Sequence, residues 1–116
     1  MAIIDIKSII GETTAYDKKE KLERNKPKSW LKSVSAFANG KGGFLFFRIS
    51  NDNVIVGLEN AESDAEYISE SIKTKIDPVP SIDLSFKKED EKTIIVLEIL
   101  AGQETPYYYI GDKYIS

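Results

Sequence analysis

The sequence contains no cysteine and no histidine. Their absence excludes disulfide frameworks, thiolate-ligated zinc sites and catalytic triads that use histidine as the base. No apolar run approaches the roughly 20 residues that span a bilayer, and the N-terminal apolar segment is interrupted by Asp5 and Lys7. We therefore expect a cytoplasmic protein that is not inserted in a membrane, in which catalysis would have to use carboxylates, lysines or hydroxyl groups.

The composition is that of one small folded domain. The chain has 116 residues, of which 41% are hydrophobic and 30% are charged. A chain of this size can bury a single core without covalent crosslinks. We predict one domain over residues 1–116.

Positive charge is concentrated in one part of a chain whose net charge is -3. From Lys18 to Arg48 there are nine basic residues and two acidic ones, a local net charge of +7, so the remainder carries -10. Such an uneven distribution can present a basic face to an anionic partner while the whole molecule stays acidic. The alternative is that these basic side chains are merely solvated.

The segment NKPKSWLKSVSAFANG, residues 25–40, predicts an amphipathic helix. Pro27 suits the first helical turn, and Asn39 followed by Gly40 is typical of a helix end. The apolar positions recur at helical spacing: Trp30, Leu31, Val34, Phe37 and Ala38. The polar positions share one stripe: Lys28, Lys32, Ser35 and Asn39. This stripe is either a binding surface or an ordinary solvent-exposed face.

The glycine-rich stretch NGKGG follows that helix, residues 39–43. A Walker-type phosphate loop instead precedes a helix, so that backbone N–H groups converge on the phosphates, and its lysine is followed by Ser or Thr. The end of a helix disfavours phosphate, because its exposed carbonyl groups carry partial negative charge. We therefore predict a tight turn, with Gly40 in the left-handed conformation, Gly42 and Gly43 allowing close backbone approach, and Lys41 exposed at the tip.

The remaining pattern predicts an α+β fold, a mainly antiparallel sheet with two packed helices. Strands are expected at 44–49 and 54–58 around the turn SNDN, and at 82–86 and 93–100 around KKEDEK. A last hairpin is expected through Gly111 and Asp112.

A second helix is predicted after Ser63, which forms a capping box with Glu66, and it ends before Pro78. Four apolar residues recur on one face: Ala65, Ile68, Ile72 and Ile76. The outward side is acidic: Glu62, Asp64, Glu66 and Glu70. An alternative function follows from this helix, an interaction module in which the basic face of one copy meets an acidic surface on another protein or protomer.

The stretch from Ser35 to Gly57, SVSAFANGKGGFLFFRISNDNVIVG, resembles the signature of the Schlafen AlbA_2 domain, also called the divergent AAA-4 or Alba-like domain. GETTAYDKK at 11–19 is similar to the upstream acidic motif of that family, and TPYYY and KYIS are similar to its closing strands. The resemblance covers nearly the whole chain. It implies an N-terminal domain of a longer bacterial transcriptional regulator, with C-terminal domains of the same protein as partners.

The resemblance also implies an alternative activity, metal-dependent RNA cleavage by three acidic side chains. Carried over by position, these fall on Glu12, Asp17 and Asn51. A neutral amide at the third position should weaken a divalent metal site, because hard cations need several oxygen ligands and a carboxylate holds the cation by its charge. Asp52 is adjacent and is an alternative third ligand. Successive strand residues point to opposite faces, which excludes Asp52 unless the turn begins there. A cofactor, a divalent metal, is expected only if the domain is a nuclease.

The leading hypothesis is a module that binds DNA or RNA through the phosphate backbone. Its candidate contacts are Lys18, Lys19, Lys28, Lys32, Asn39, Lys41 and Arg48. The basic residues contact phosphates, and Asn39 either orders the helix end or donates a hydrogen bond. At Arg48 the family usually has glycine, so the arginine either adds a phosphate contact or fills space. Contacts of this kind position a protein on nucleic acid without reading bases. Tyr107 to Tyr109 can stack on unpaired bases or belong to the core, and a homo-oligomer is a further possible assembly.

Overall fold

The computed structural model describes residues 3–11, 14–57 and 60–111. These residues form three helices and six strands. In chain order the elements are α1 Ile6–Ile10, β1 Tyr16–Lys19, α2 Lys28–Asn39, β2 Gly43–Phe47, α3 Ala61–Lys75, β3 Ile76–Asp77, β4 Ile82–Glu89, β5 Lys92–Ile99 and β6 Tyr108–Tyr109. Within the described residues, no helix is long and apolar enough to cross a membrane.

The main sheet has four strands in the order β1, β2, β5, β4. The pairs β2 with β5 and β5 with β4 are antiparallel, whereas β1 runs parallel to β2. A second sheet consists of the short antiparallel pair β3 and β6. The predicted α+β class with a mainly antiparallel sheet is confirmed, and the parallel edge strand β1 and the five-residue helix α1 are additions to it.

The sheet has a hydrophobic core on each face, because successive strand residues point to opposite sides. On one face α2 and α3 pack against Leu45 and Phe47 of β2. On the other face α1 packs against Phe46, with Ile94 and Val96 of β5. The alternation along β2 therefore explains why the run GFLFF is apolar at nearly every position: both of its sides are covered.

Helix α2 forms where its apolar period predicts it. Pro27 occupies the N-cap position, and its carbonyl accepts the first helical hydrogen bond from the Leu31 N–H at 3.0 Å. Of the predicted apolar face, Phe37 is half-buried and the other four residues are buried. This face fixes the rotation of the helix on the sheet, and it thereby decides which polar side chains point outward.

The predicted hairpin strand at 54–58 is wrong in its extent. Residues Ile49 and Ile55 form a single antiparallel bridge, and the Ser50 N–H donates to the Val54 carbonyl at 2.9 Å. Arg48 and Asn53 have φ values of 74° and 63°. Two left-handed residues in so short a segment interrupt the extended ladder that a strand requires. Leu58 lies outside the described residues.

The start of α3 also differs from the prediction. Asn60, not Ser63, is the N-cap residue, and its Oδ1 accepts a hydrogen bond from the Ser63 N–H at 3.1 Å. Both residue types cap helices well, so sequence alone could not choose between them. The helix ends before Pro78 as predicted, although Ile76 belongs to β3, where it is still buried in the core.

The last predicted hairpin, through Gly111 and Asp112, lies partly outside the described residues. The tyrosines that were expected to lead into it form β6, which pairs with β3 through Ile76 and Tyr109. This pairing brings the end of the described chain back against α2, where it contributes to the surface described below.

The glycine turn after α2 is built around Gly42 rather than Gly40. Gly40 has a φ of -102°, so the prediction of a left-handed Gly40 is wrong, whereas Gly42 has a φ of 83°. The Gly42 N–H donates to the Phe37 carbonyl at 2.9 Å. Gly43 lies so close to the Phe37 ring that a Cβ there would be 2.7 Å from it. The glycines therefore allow the chain to reverse tightly from α2 into β2.

Candidate nucleic-acid interface

Lysines from three parts of the chain converge on one side of α2. A concavity of about 670 Å³ is lined by Lys19 at the end of β1, Lys21 and Lys26 in the loop that follows, and Lys28 and Lys32 of α2, with Glu23 as its one acidic lining residue. A neighbouring concavity of about 600 Å³ shares Lys28 and Lys32 and is closed by the tyrosines of β6. We call this region the lysine surface: Lys19, Lys21, Lys26, Lys28, Lys32, Tyr108 and Tyr109.

The three consecutive tyrosines have three different environments. Tyr107 is buried in the core, Tyr108 is 59% exposed and Tyr109 is half-buried. The Lys28 ammonium lies 5.9 Å from the centre of the Tyr109 ring, within the range of a cation–π contact. Tyr107 therefore belongs to the core, whereas Tyr108 presents its ring to solvent beside lysines, and its stacking on bases stays a prediction.

Two residues of the predicted polar stripe on α2, Ser35 and Asn39, hold the backbone of Tyr107 in place. The Ser35 hydroxyl and the Asn39 Nδ2 both donate to the Tyr107 carbonyl, at 2.6 and 2.9 Å. The Tyr107 N–H donates to Asn39 Oδ1 at 2.6 Å. These bonds satisfy the N–H and the C=O of the buried Tyr107, which would otherwise lack partners. Asn39 thus fixes the residue that precedes β6 on α2. Ser35 and Asn39 also line the second concavity, whereas Lys28 and Lys32 line both.

Replacing Asn39 by alanine is expected to lower the free energy of unfolding by about 2 kcal/mol, because it removes two hydrogen bonds and leaves the buried Tyr107 N–H without an acceptor. Urea denaturation measures the loss. Ser33→Ala is the control: its hydroxyl is on the same helix and makes only a 3.4 Å bond within the helix. Equal stability of the Asn39 variant and the control would contradict the role of Asn39.

Neighbouring residues of β1 point to opposite faces of the sheet. Lys19 lies on the side of α2, where its Nζ is 3.3 Å from Asp17 Oδ2 and 3.4 Å from the Ser29 hydroxyl. Lys18 lies on the other side, where its Nζ donates to the Asn51 carbonyl at 2.6 Å and to Asn53 Oδ1 at 2.8 Å. The structure therefore places Lys19 in the lysine surface and engages Lys18 in holding the turn at 50–53.

Lys41 and Arg48 are not among the residues that line the lysine surface. Lys41 is exposed in the glycine turn. Arg48 lines a separate concavity with Asn60, Asp64 and Lys92. Its φ of 74° is a backbone conformation that glycine adopts without cost, in accord with the glycine usual at this position in the family it resembles.

Of the three positions of the implied acidic triad, the structure describes two, Asp17 and Asn51. One Asp17 oxygen accepts from the Lys18 N–H at 2.9 Å and the other is 3.3 Å from Lys19. Asn51 and Asp52 both lie in an exposed turn, so strand alternation does not separate them. Glu12 is outside the described residues. No three carboxylates cluster within residues 3–11, 14–57 and 60–111. The acidic triad stays a prediction, because it includes Glu12.

One of the four acidic residues predicted on the outward side of α3, Asp64, is buried in an ion pair. The Asp64 carboxylate accepts from Arg24 Nη2 at 2.6 Å, and its side chain is only 13% exposed. Arg24 also donates to the Ser63 hydroxyl at 3.1 Å and lies 4.9 Å from the centre of the Tyr67 ring. This contact ties the lysine-rich loop to the start of α3. The prediction that Asp64 faces outward is therefore wrong.

Sequence reasoning did not single out Lys21, Lys26 or Arg24. All three lie between β1 and α2, in a loop without apolar periodicity that could assign a direction to each side chain. The local excess of lysine indicated that this segment is basic. It did not indicate which of its side chains face the lysine surface.

Two solved structures share this fold. The N-terminal domain of a RecG-related protein from Nitrosomonas europaea is 18% identical, with a TM-score of 0.66, over 90% of this chain and 75% of that one. The DIP2311 protein from Corynebacterium diphtheriae is 24% identical, with a TM-score of 0.61, over 86% of this chain but only 20% of that one. At this level of identity the likeness establishes the fold alone.

No curated protein matches the chain in sequence. The model of the Schlafen, AlbA_2 family matches residues 12–115. This span includes the lysine surface, the glycine turn and both sheets described above. The chain belongs to the Schlafen, AlbA_2 family.

Proposed function

We propose that this domain binds nucleic acid by contacting the phosphate backbone through the lysine surface. The observation that supports it most directly is the convergence of five lysines from β1, the following loop and α2 on one concavity that has a single acidic lining residue. Ammonium groups gathered in this way attract a polyanion even though the whole chain has a net charge of -3. In a transcriptional regulator, such contacts would hold the domain on nucleic acid while sequence is read elsewhere.

Tyr108 extends the proposed contact beyond phosphate. Its exposed ring lies next to Lys28 and Lys32 in the second concavity. An aromatic ring beside cations can stack on an unpaired base while the cations contact the neighbouring phosphates. The name of the Nitrosomonas neighbour relates that protein to an ATP-dependent DNA helicase, and a nucleic-acid role for this chain is compatible with it.

Fluorescence anisotropy of labelled duplex DNA and single-stranded RNA, titrated over a salt series, tests the proposal. With three to five phosphates neutralised, the logarithm of the association constant should fall with the logarithm of salt at a slope of about -2.7 to -4.5 for the duplex. The affinity for single-stranded RNA, whose bases are unpaired, tests stacking by Tyr108. Absence of binding to both probes at about 50 mM salt, where counterion release favours association, would overturn the proposal.

A further inference from the structure

Strand β4 forms an open edge of the main sheet. It pairs along its whole length with β5, and the described residues provide no partner on its other side. From Ser85 to Glu89 every residue is exposed, and the Phe86 side chain is 46% exposed. An eight-residue edge of this kind presents a row of backbone donors and acceptors to another strand.

The register of β4 on β5 identifies which backbone groups face the open edge. The Leu100 N–H donates to the Ser81 carbonyl at 3.0 Å, in line with the pairing of Ile82 with Ile99. In an antiparallel ladder, alternate residues bond to the same neighbour. The odd-numbered residues of β4 therefore bond to β5, whereas Leu84 and Phe86 direct their N–H and C=O groups outward.

The side chains of β4 are complementary to the same strand running in the opposite direction. When a second β4 is placed antiparallel about a two-fold axis at Ser85, Leu84 lies opposite Phe86 on the helix-covered face. On the other face Asp83 lies opposite Lys87. Symmetry repeats each pair twice, and both apolar and opposite-charge pairs stabilise adjacent strands.

Shifted registers lose the pairing of opposite charges. Sliding the second strand by two residues in one direction brings Asp83 opposite Glu89, and sliding it in the other direction brings Asp83 opposite Ser85. Like charges opposite each other are destabilising, and a charge opposite serine gains little. Lysines near the end of an edge strand usually discourage strand addition, but in the Ser85-centred register Lys87 is matched by Asp83 of the second copy.

We propose that two copies of this chain associate through β4, antiparallel about Ser85, so that the main sheet continues from one copy into the other. The two-fold axis is perpendicular to the sheet, so α2 and α3 of both copies lie on the same face. The proposal is independent of nucleic-acid binding. Because a single pair of edge strands buries only a small area, the association is weak and depends on protein concentration.

Sedimentation equilibrium of the whole chain over a range of concentrations tests the pairing. The wild-type chain should show a monomer–dimer equilibrium. Asp83→Lys and Lys87→Asp each place two like-charge pairs in the interface, so each should raise the dimer dissociation constant about tenfold. Both positions are exposed on β4, and circular dichroism confirms that each variant remains folded.

An equimolar mixture of the two variants gives the most specific test of the charge pairing. In the heterodimer each introduced lysine lies opposite an introduced aspartate, and each native lysine opposite a native aspartate, so association should return to the wild-type level. A wild-type chain that stays monomeric at about 1 mM, the upper end of weak protein association, would overturn the proposal. A dimer that neither variant weakens, or an edge that binds only extended peptides of other proteins, would also overturn it.

Discussion

Alanine at Gly42 is expected to lower the free energy of unfolding by at least about 3 kcal/mol, since a left-handed alanine and a fixed steric clash each contribute. The φ of Gly42 is 83°. A Cβ on this residue would be 2.7 Å from the Ile99 carbonyl oxygen and 3.1 Å from the Ala101 nitrogen. Both atoms belong to the backbone at the end of β5, so neither can move aside by a change of rotamer.

Urea denaturation measures the free energy of unfolding of Gly42→Ala, and Gly40→Ala is the control. At Gly40, φ is -102° and the nearest atom to an added Cβ, the Ala36 carbonyl oxygen, is 3.4 Å away. The Gly40 variant should therefore lose clearly less stability. Equal losses in the two variants would show that the turn does not depend on the left-handed conformation of Gly42.

Reversing the charge of two lysines on α2 has the largest effect expected on binding. The double variant Lys28→Glu with Lys32→Glu should bind duplex DNA about 100-fold more weakly at low salt and reduce the magnitude of the salt slope by about two, because two phosphate contacts become repulsions. Lys28 and Lys32 line both concavities of the lysine surface. Anisotropy over the salt series gives affinity and slope in one experiment.

A control with the same change in net charge separates local contact from overall charge. Lys73 on α3 and Lys92 on β5 are exposed and lie outside the lysine surface. Lys73→Glu with Lys92→Glu should retain the salt slope and most of the affinity. If both double variants weaken binding equally, the effect comes from net charge, and the lysine surface is not the contact. Thermal denaturation confirms that each variant is folded.

Helix α2 shows what the sequence can predict. Its apolar period is strong, Pro27 stands at its N-cap, and its side chains are buried on the face that the period indicates. Burial of such a stripe determines the rotation of the helix. The amino-acid pattern alone is therefore enough to assign Lys28 and Lys32 to the outer side.

Strand β1 shows what the sequence could not predict. Tyr16, Asp17, Lys18 and Lys19 have no apolar alternation, and their extended conformation depends on pairing with β2, which lies more than twenty residues later. Tertiary context of this kind overrides local propensity. Because the sequence did not predict β1, it could not show that Lys18 and Lys19 lie on opposite faces of the sheet.

For a similar reason, the sequence did not show that half of the polar stripe on α2 anchors Tyr107. Ser35 and Asn39 have the exposed spacing of binding residues, yet they bond to Tyr107, which is 72 and 68 residues away in the chain. A short polar side chain on a helix surface serves equally well as a ligand contact or as an anchor for returning backbone. Only the position of β6 distinguishes these two roles.

The lysine surface is discontinuous in the chain, and this affects when it can form. Its lysines lie in the first third of the sequence, whereas Tyr108 and Tyr109 are in β6, after both β4 and β5. At ordinary rates of translation, the ribosome takes on the order of ten seconds to proceed from one part to the other. A nascent chain therefore carries the lysines well before β6 is made, and the complete surface is assembled only after the tyrosines have left the ribosome and docked on α2.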